Sequence, residues 1–264
     1  MSYPIISVVT VCRNAISDIR KTINSVLAQN GVNYEYIVID GASTDGTLDV
    51  ILSYEKEFQI RGINFIHISE KDSGTYDAMN KGCLLAQGEW VAFLNAGDVY
   101  YCPTSLASVF DCELSDEGVI YGDTIEQYRF GNVIVADDGR RNIDPVMPFC
   151  HQASFVRREL LLKYKFDLSY RILSDHHLFY RLRNNGIRFL HRKVVVCVYN
   201  AQYGLSADNP FLVQLERHKI YGLTESPLYF IRYFYTFIRS GFLPQIKRWL
   251  PRCIVDLVMK YRRR

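Results

Sequence analysis

In this 264-residue chain, a few short polar clusters hold the side chains best suited to chemistry. Asp40-Gly41-Ala42-Ser43-Thr44-Asp45-Gly46-Thr47 reads locally as a turn running into a helix N-cap. If it follows a strand, Asp40 is also placed to accept hydrogen bonds from a nucleoside base or ribose. Asn95-Ala96-Gly97-Asp98 makes an ordinary turn, yet one carboxylate there is enough for a hard divalent cation when phosphate oxygens complete its shell. Asp175, in Ser174-Asp175-His176-His177, suits either a helix cap or a general base. His176 and His177 are neighbours and point about 100° apart on a helix, so they are poor joint metal ligands. His151-Gln152 is a polar pair following an apolar stretch, read either as a hydrogen-bonded core histidine or as a contact to acceptor or diphosphate.

Something must bring these clusters together. Ile5 to Cys12 is a β-branched run without alternation, as expected of a parallel strand buried on both faces. Ile16 to Gln29 then has helical spacing, Tyr34 to Ile39 is a second strand, and Leu48 to Phe58 a second helix. Ile63 to Ile68, Tyr76 to Gln87 and Trp90 to Leu94 continue as strand, helix and strand. This alternation predicts βαβ units and a mainly parallel twisted sheet flanked by helices. Arg13-Asn14, Asp40 to Asp45, Glu70 to Asp77 and Asn95 to Asp98 each follow a strand, so they should converge on the carboxyl edge, where such sheets bind ligands. Beyond Pro103 the spacing predicts strands at Val119 to Tyr121, Val133 to Ala136 and Val194 to Val198. Helices are expected over Glu159 to Tyr164 and Asp175 to Asn184.

Composition excludes disorder and low-complexity classes, with 48% apolar and 22% charged residues. The chain lacks G-x-G-x-x-G after the first strand and G-x-x-x-x-G-K, which argues against dinucleotide redox enzymes and P-loop NTPases. The seven cysteines show neither zinc-ligand nor disulfide-framework spacing, consistent with a reducing compartment. The N-terminal apolar run, ended by Arg13, reads as a strand and not a signal peptide. The net charge of +3 conceals an asymmetry: residues 224–264 hold nine Lys/Arg against two Asp/Glu, leaving 22 against 26 in residues 1–223.

Taken together, Ser7 to Asn14, Asp40 to Thr47, Glu70 to Gly82, Gly88 to Asp98, His151-Gln152 and Ser174-Asp175 resemble glycosyltransferase family 2, in particular the branch that builds bacterial exopolysaccharides and O-antigens. The resemblance spans about residues 4 to 200. It implies an α/β fold of GT-A type, with a nucleotide-sugar half over about 1–100 and an acceptor half over about 101–223. Residues 224–264 would be a basic, aromatic helical tail. It implies that Thr10, Arg13, Asp40, Asp72, Asp77 and Asn95 serve the nucleotide-sugar. Asp98 would hold Mn²⁺ or Mg²⁺, Asp175 would be the base, and His151 and Gln152 would meet acceptor or diphosphate. The chain departs from the family pattern at Gly41, where a second aspartate is common, and at Asn95 and Gly97, which replace acids.

The implied reaction is inverting transfer of a hexose or N-acetylhexosamine from a nucleotide-diphosphate donor, UDP-linked by expectation, to a hydroxyl of a glycan or lipid-diphosphate-linked acceptor. The setting would be bacterial surface polysaccharide synthesis in the cytoplasm, peripheral on the inner membrane face. Tyr229 to Arg239 is apolar but interrupted by Arg232 and Arg239. With Ile246 to Arg264 it suits an interfacial segment at an anionic membrane, or else a helix packed on the body. Rival readings are a degenerate nucleotide-sugar-binding protein, a nucleotidyltransferase, or a nucleic-acid-binding protein. The acidic body and the absence of a binding module speak against nucleic acid.

Overall fold

A computed structural model describes residues 5–111, 113–128, 131–136, 147, 149–201, 205–225 and 228–236. Its elements, in chain order, are β1 (Ile6–Cys12), α1 (Ile19–Leu27), β2 (Tyr34–Asp40), α2 (Thr47–Leu52), α3 (Glu55–Ile60), β3 (Phe65–Ser69), α4 (Thr75–Leu85) and β4 (Trp90–Phe93). There follow β5 (Val99–Tyr100), α5 (Ser105–Phe110), β6 (Glu117–Tyr128), β7 (Gly131–Val135), β8 (Ser154–Arg157), α6 (Arg158–Tyr164), α7 (Ser174–Asn184) and β9 (Arg188–Asn200). The last helices are α8 (Leu205–Asp208), α9 (Pro210–Ile220) and α10 (Tyr229–Thr236).

Every residue of β1 and β2 is buried, which explains their unbroken apolar and β-branched character. β1 pairs in parallel with β2 and β4, and β2 with β3. Their carboxyl ends, at Cys12, Asp40, Ser69 and Phe93, therefore lie along one edge. The sheet continues from β4 into β8, β6, β9 and β5. The pairs β4–β8, β6–β8 and β5–β9 are antiparallel, so a parallel half joins an antiparallel half.

The fully buried Trp90, Tyr36, Phe58 and Phe155 fill the core around this sheet. Tyr36, Phe58 and Phe65 stack with centroid separations of 4.5 to 5.6 Å, a geometry that adds to simple area burial. An acidic side chain, Glu35, also lies in this interior. The buried Glu35 carboxylate accepts from Ser7 Oγ (2.6 Å), Gln87 N (2.5 Å), Gly88 N (3.2 Å) and Asn64 Nδ2 (2.9 Å). It ties β1, β2 and the α4–β4 turn together at the amino ends of the strands, opposite the ligand edge. A buried carboxylate is tolerated there because its oxygens are satisfied.

The single helix expected over Leu48 to Phe58 is two helices. Ser53 Oγ bonds back to Val50 O (2.6 Å), and Tyr54 turns inward, its hydroxyl donating to Asn24 Oδ1 (2.8 Å). Packing against α1 outweighs the continuous helical pattern.

By packing, the chain forms two compact units: Met1–Glu126 with Ile134–Tyr199, and Gln127–Val133 with Asn200–Arg264. The composition break near Thr224 falls inside the second unit. Within that unit α9, which begins at Pro210, touches α10 through an edge-on Phe211–Tyr233 contact (5.6 Å). Ile231, Phe234 and Tyr235 of α10 are exposed, as is Leu228. The basic segment Ile246 to Arg264 lies outside the described residues.

Candidate functional site

The loop after β1 and the loop after β2 are stitched together by their own polar residues. Asn14 N donates to Ser43 Oγ (2.7 Å), and Asn14 Oδ1 accepts from Thr44 N (2.9 Å). Asp45 accepts from Ile16 N (3.1 Å), Thr47 N (3.0 Å) and Thr47 Oγ1 (2.5 Å). These bonds, led by that from the Thr47 hydroxyl, hold the Asp45 carboxyl below its ordinary value. The Ser/Thr/Asp richness of the stretch is thus used to build the ligand edge.

Asp40 is only 1% exposed and accepts from Ser43 N (3.0 Å), Ser43 Oγ and Ser69 Oγ (2.6 Å), with the Cys12 thiol also donating. Its oxygens organise the turn. Asp72 from the next loop comes over the backbone of Gly41, and its Oδ2 occupies the place that a side chain at 41 would need. Absence of a second aspartate at 41 therefore makes room for Asp72. Its Oδ1 accepts from Gly74 N (3.0 Å). Asp77 accepts from Ser73 N (2.9 Å) and lies 3.8 Å from Lys81 Nζ, bracing the start of α4. Arg13 is exposed beside Gly41. Thr10 is turned inward: its hydroxyl donates to Leu94 O (2.7 Å) and accepts from Tyr36 (2.9 Å).

The turn after β4 depends on Gly97, whose φ of +105° disfavours any side chain. The Thr22 hydroxyl on α1 fastens this turn, accepting from Gly97 N (2.9 Å) and donating to Asp98 O (2.8 Å). Both members of the His151-Gln152 pair reach it. Gln152 Nε2 donates to Asp98 Oδ2 (2.9 Å), and the half-buried Cys150 donates its thiol proton to Gln152 Oε1, which sets the direction of the amide. Burial pushes that thiol up to about 12, so it stays a neutral donor. Asn95 Nδ2 lies 3.2 Å from His151 Nε2, while its buried Oδ1 has no partner among the described residues.

His151 Nδ1 in turn lies 2.9 Å from Asp175 Oδ2. Asp175 is 8% exposed, and its Oδ1 accepts from His176 N (2.8 Å). The Tyr76 hydroxyl stands between that oxygen (3.0 Å) and Ile172 O, with one proton to share. Burial works to raise the Asp175 carboxyl. The hydrogen bond and charge of His151, the His176 N–H and Tyr76 outweigh it and hold the group below its ordinary value of 3.8. Asp175 is thus an ionised carboxylate with built-in donors.

The structure therefore gathers Asn95, Asp98, His151, Gln152 and Asp175 at one place, and Asp72 and Arg13 near Gly41. Residue-type reasoning passed over Tyr76 and Cys150. Both stand directly beside motif residues, Tyr76 before Asp77 and Cys150 before His151, and that adjacency is the signal they carried.

Residues 7–111 match the family described as "Glycosyl transferase family 2". A PGL/p-HBAD biosynthesis glycosyltransferase of Mycobacterium tuberculosis is 35% identical over 229 residues, covering 81% of this chain and 85% of the relative. The chain belongs to glycosyltransferase family 2. A second relative of this transferase is a putative teichuronic acid biosynthesis glycosyltransferase, TuaG of Bacillus subtilis, 41% identical over 95 residues and 36% of each chain. Among solved structures, Staphylococcus aureus TarS (residues 1–349, in complex with UDP) matches with a TM-score of 0.58 at 19% identity. The match covers 81% of this chain and 65% of that one. The mannosyltransferase PcManGT of Pyrobaculum calidifontis, in complex with GDP-Man and Mn²⁺, matches with a TM-score of 0.66 at 18% identity, covering 89% and 69%. The mixed sheet with flanking helices is the GT-A fold.

Whether the β4 turn suits a divalent cation can be judged from its donors. Among the described residues no cluster of three His, Cys, Asp or Glu side chains could hold a metal alone. Asp98 does present a carboxylate on a rigid turn, and a hard cation needs only one or two such groups when diphosphate oxygens complete its shell. The residues fit a cation brought in with the donor.

Proposed function

We propose that this family 2 transferase moves a hexose or N-acetylhexosamine from a UDP-sugar to a hydroxyl of a glycan or lipid-diphosphate-linked acceptor, with inversion, in bacterial cell-surface polysaccharide synthesis. The observation that carries this reading is the buried, ionised Asp175, joined by hydrogen bonds through His151 and Asn95 to the turn that bears Asp98. In the proposed step Asp175 takes the proton of the acceptor hydroxyl as that oxygen bonds to the anomeric carbon. The bond from carbon to the phosphate oxygen breaks, and its electron pair leaves with the nucleoside diphosphate. A single displacement inverts the anomeric centre.

Asp72, poised over Gly41, and the exposed Arg13 are the polar groups we assign to the nucleoside. Asp40 and Asp77 support them by holding their loops, and Thr10 supports the strand beneath. Asn95 would meet the donor sugar. Asp98 would hold Mn²⁺ or Mg²⁺, which when bound supplies Lewis-acid charge neutralisation at the diphosphate. TarS was solved with UDP and with UDP-GlcNAc, which supports the uridine assignment; the names of the mycobacterial and Bacillus relatives support the glycan setting. A panel of nucleotide-sugars, followed by calorimetric binding and product release with and without Mn²⁺, tests the reading. A UDP-sugar should bind and turn over; turnover confined to GDP- or dTDP-sugars would overturn the donor assignment.

We further assign the exposed Leu228, Ile231, Phe234 and Tyr235 of the second unit, with the basic residues that follow them in sequence, to contact with an anionic membrane surface. No helix among the described residues is long and apolar enough to cross a membrane. Removing residues 224–264 should abolish sedimentation with anionic liposomes; unchanged partitioning would refute the contact.

A further inference from the structure

The hydrogen-bond chain Asn95–His151–Asp175 runs through both nitrogens of one imidazole. Nδ1 donates its proton to the ionised Asp175 Oδ2 (2.9 Å), and Nε2 faces the Asn95 amide, 3.2 Å from its Nδ2. The His151 and Asp175 side chains are only 19% and 12% exposed, so water competes weakly for this bond. His151 is itself fixed by a short 3-10 turn, His151–Ala153, in which Ser154 Oγ donates to His151 O (2.7 Å) and Ala153 N to Cys150 O (3.0 Å). The next residue in that turn, Gln152, grips Asp98. One short turn therefore sets the separation of both carboxylates of the site.

We propose that His151 is a positioning residue. Through Nδ1–H it fixes the rotation of the Asp175 carboxylate, and through Nε2 it ties that carboxylate to the donor-side turn. This rests on Asp175 being the base. Without His151 the Oδ1 side keeps its anchors at His176 N and Tyr76, but Oδ2 loses the donor that sets the plane of the carboxylate. A proton acceptor out of line with the attacking hydroxyl lowers kcat while leaving donor binding intact, because in this role the imidazole acts on the carboxylate and not on the donor. This differs from a role in gripping the diphosphate, which would appear in donor affinity.

Two substitutions separate the functions of the ring. In His151→Asn the amide nitrogen falls near the position of imidazole Nδ1 and can still donate to Asp175. In His151→Gln the amide reaches as far as Nε2 and can keep only the contact with Asn95. The expected result is a loss of about 100-fold in kcat for His151→Gln, but less than about tenfold for His151→Asn, with the calorimetric Kd for UDP changed less than about threefold in both. The acid limb of kcat should also move to higher pH in His151→Gln and much less in His151→Asn, because the bond from His151 lowers the Asp175 carboxyl. The other titratable groups around that carboxyl, Tyr76, His176 and Cys150, are unchanged in both variants. Equal losses in the two variants, or wild-type kcat in His151→Gln, would overturn the proposal. Weakened UDP binding would replace it with a diphosphate contact. Asp175→Asn measured in parallel isolates the underlying reading: if that variant still turns over, the base assignment has failed, whatever the His151 variants do.

Discussion

Asp175→Asn should lower kcat by about 10³-fold while the calorimetric Kd for UDP changes less than about threefold, within the range expected for removal of a general base. The substitution keeps the size of the side chain and an oxygen for the His176 N–H and Tyr76, so the start of α7 should remain in place. It removes the charge and the basicity, and sets an amide nitrogen against the Nδ1–H of His151. Retained turnover within tenfold, or lost UDP binding, would count against Asp175 as the base. The low position of its carboxyl gives a second expectation. The wild-type base remains ionised throughout the neutral range, so its own acid limb lies below the ordinary carboxylate value of 3.8. Stability follows the same sign. A carboxyl lowered by folding contributes fully above its ordinary value, and that contribution is lost as pH falls through the folded one.

Asp98→Asn should reduce kcat/KM by about 10²- to 10³-fold, the scale seen when a preorganised charge at a leaving group is lost. The asparagine oxygen can still accept from Gln152, and Thr22 still fastens the turn through the backbone, so the fold of the site should survive. The decisive reading is binding: Mn²⁺ should strengthen UDP affinity in the wild type and not in the variant, and the two should agree within about threefold in EDTA. If Mn²⁺ strengthens binding equally in both, the cation is not held by Asp98.

The parallel half of the sheet was legible because burial on both faces writes itself directly into β1 and β2 as unbroken apolar runs. The helices between them keep a 3.6-residue period. The antiparallel half was only partly visible. β8 is four residues long and β5 two, too short for any period, and each exists because a neighbouring strand is there to pair with it. The expected strand Val119 to Tyr121 proved to lie near the start of the twelve-residue β6, whose later polar residues mask the rest of it.

The site shows the same division. The turns carrying Asp40 and Asp98 were readable from Gly, Asn and Asp, whose backbone preferences act within a few residues. The sequence alone could not assign the partners. Asp40 spends its oxygens on Ser43 and Ser69, while Asp72 takes the space over Gly41.

Residue order by itself determined the fold class, the carboxyl edge and the turns that line it, since these follow from local periodicity and backbone preference. The tertiary structure alone decided that His151 and Gln152 bond the turn after β4, and that His151 also holds Asp175. These partners are 54 and 56 residues apart on one side and are joined because β8 inserts antiparallel beside β4, bringing the turn before β8 to the carboxyl end of β4. Strand order depends on long-range packing and leaves no period in the chain, so it had to be observed.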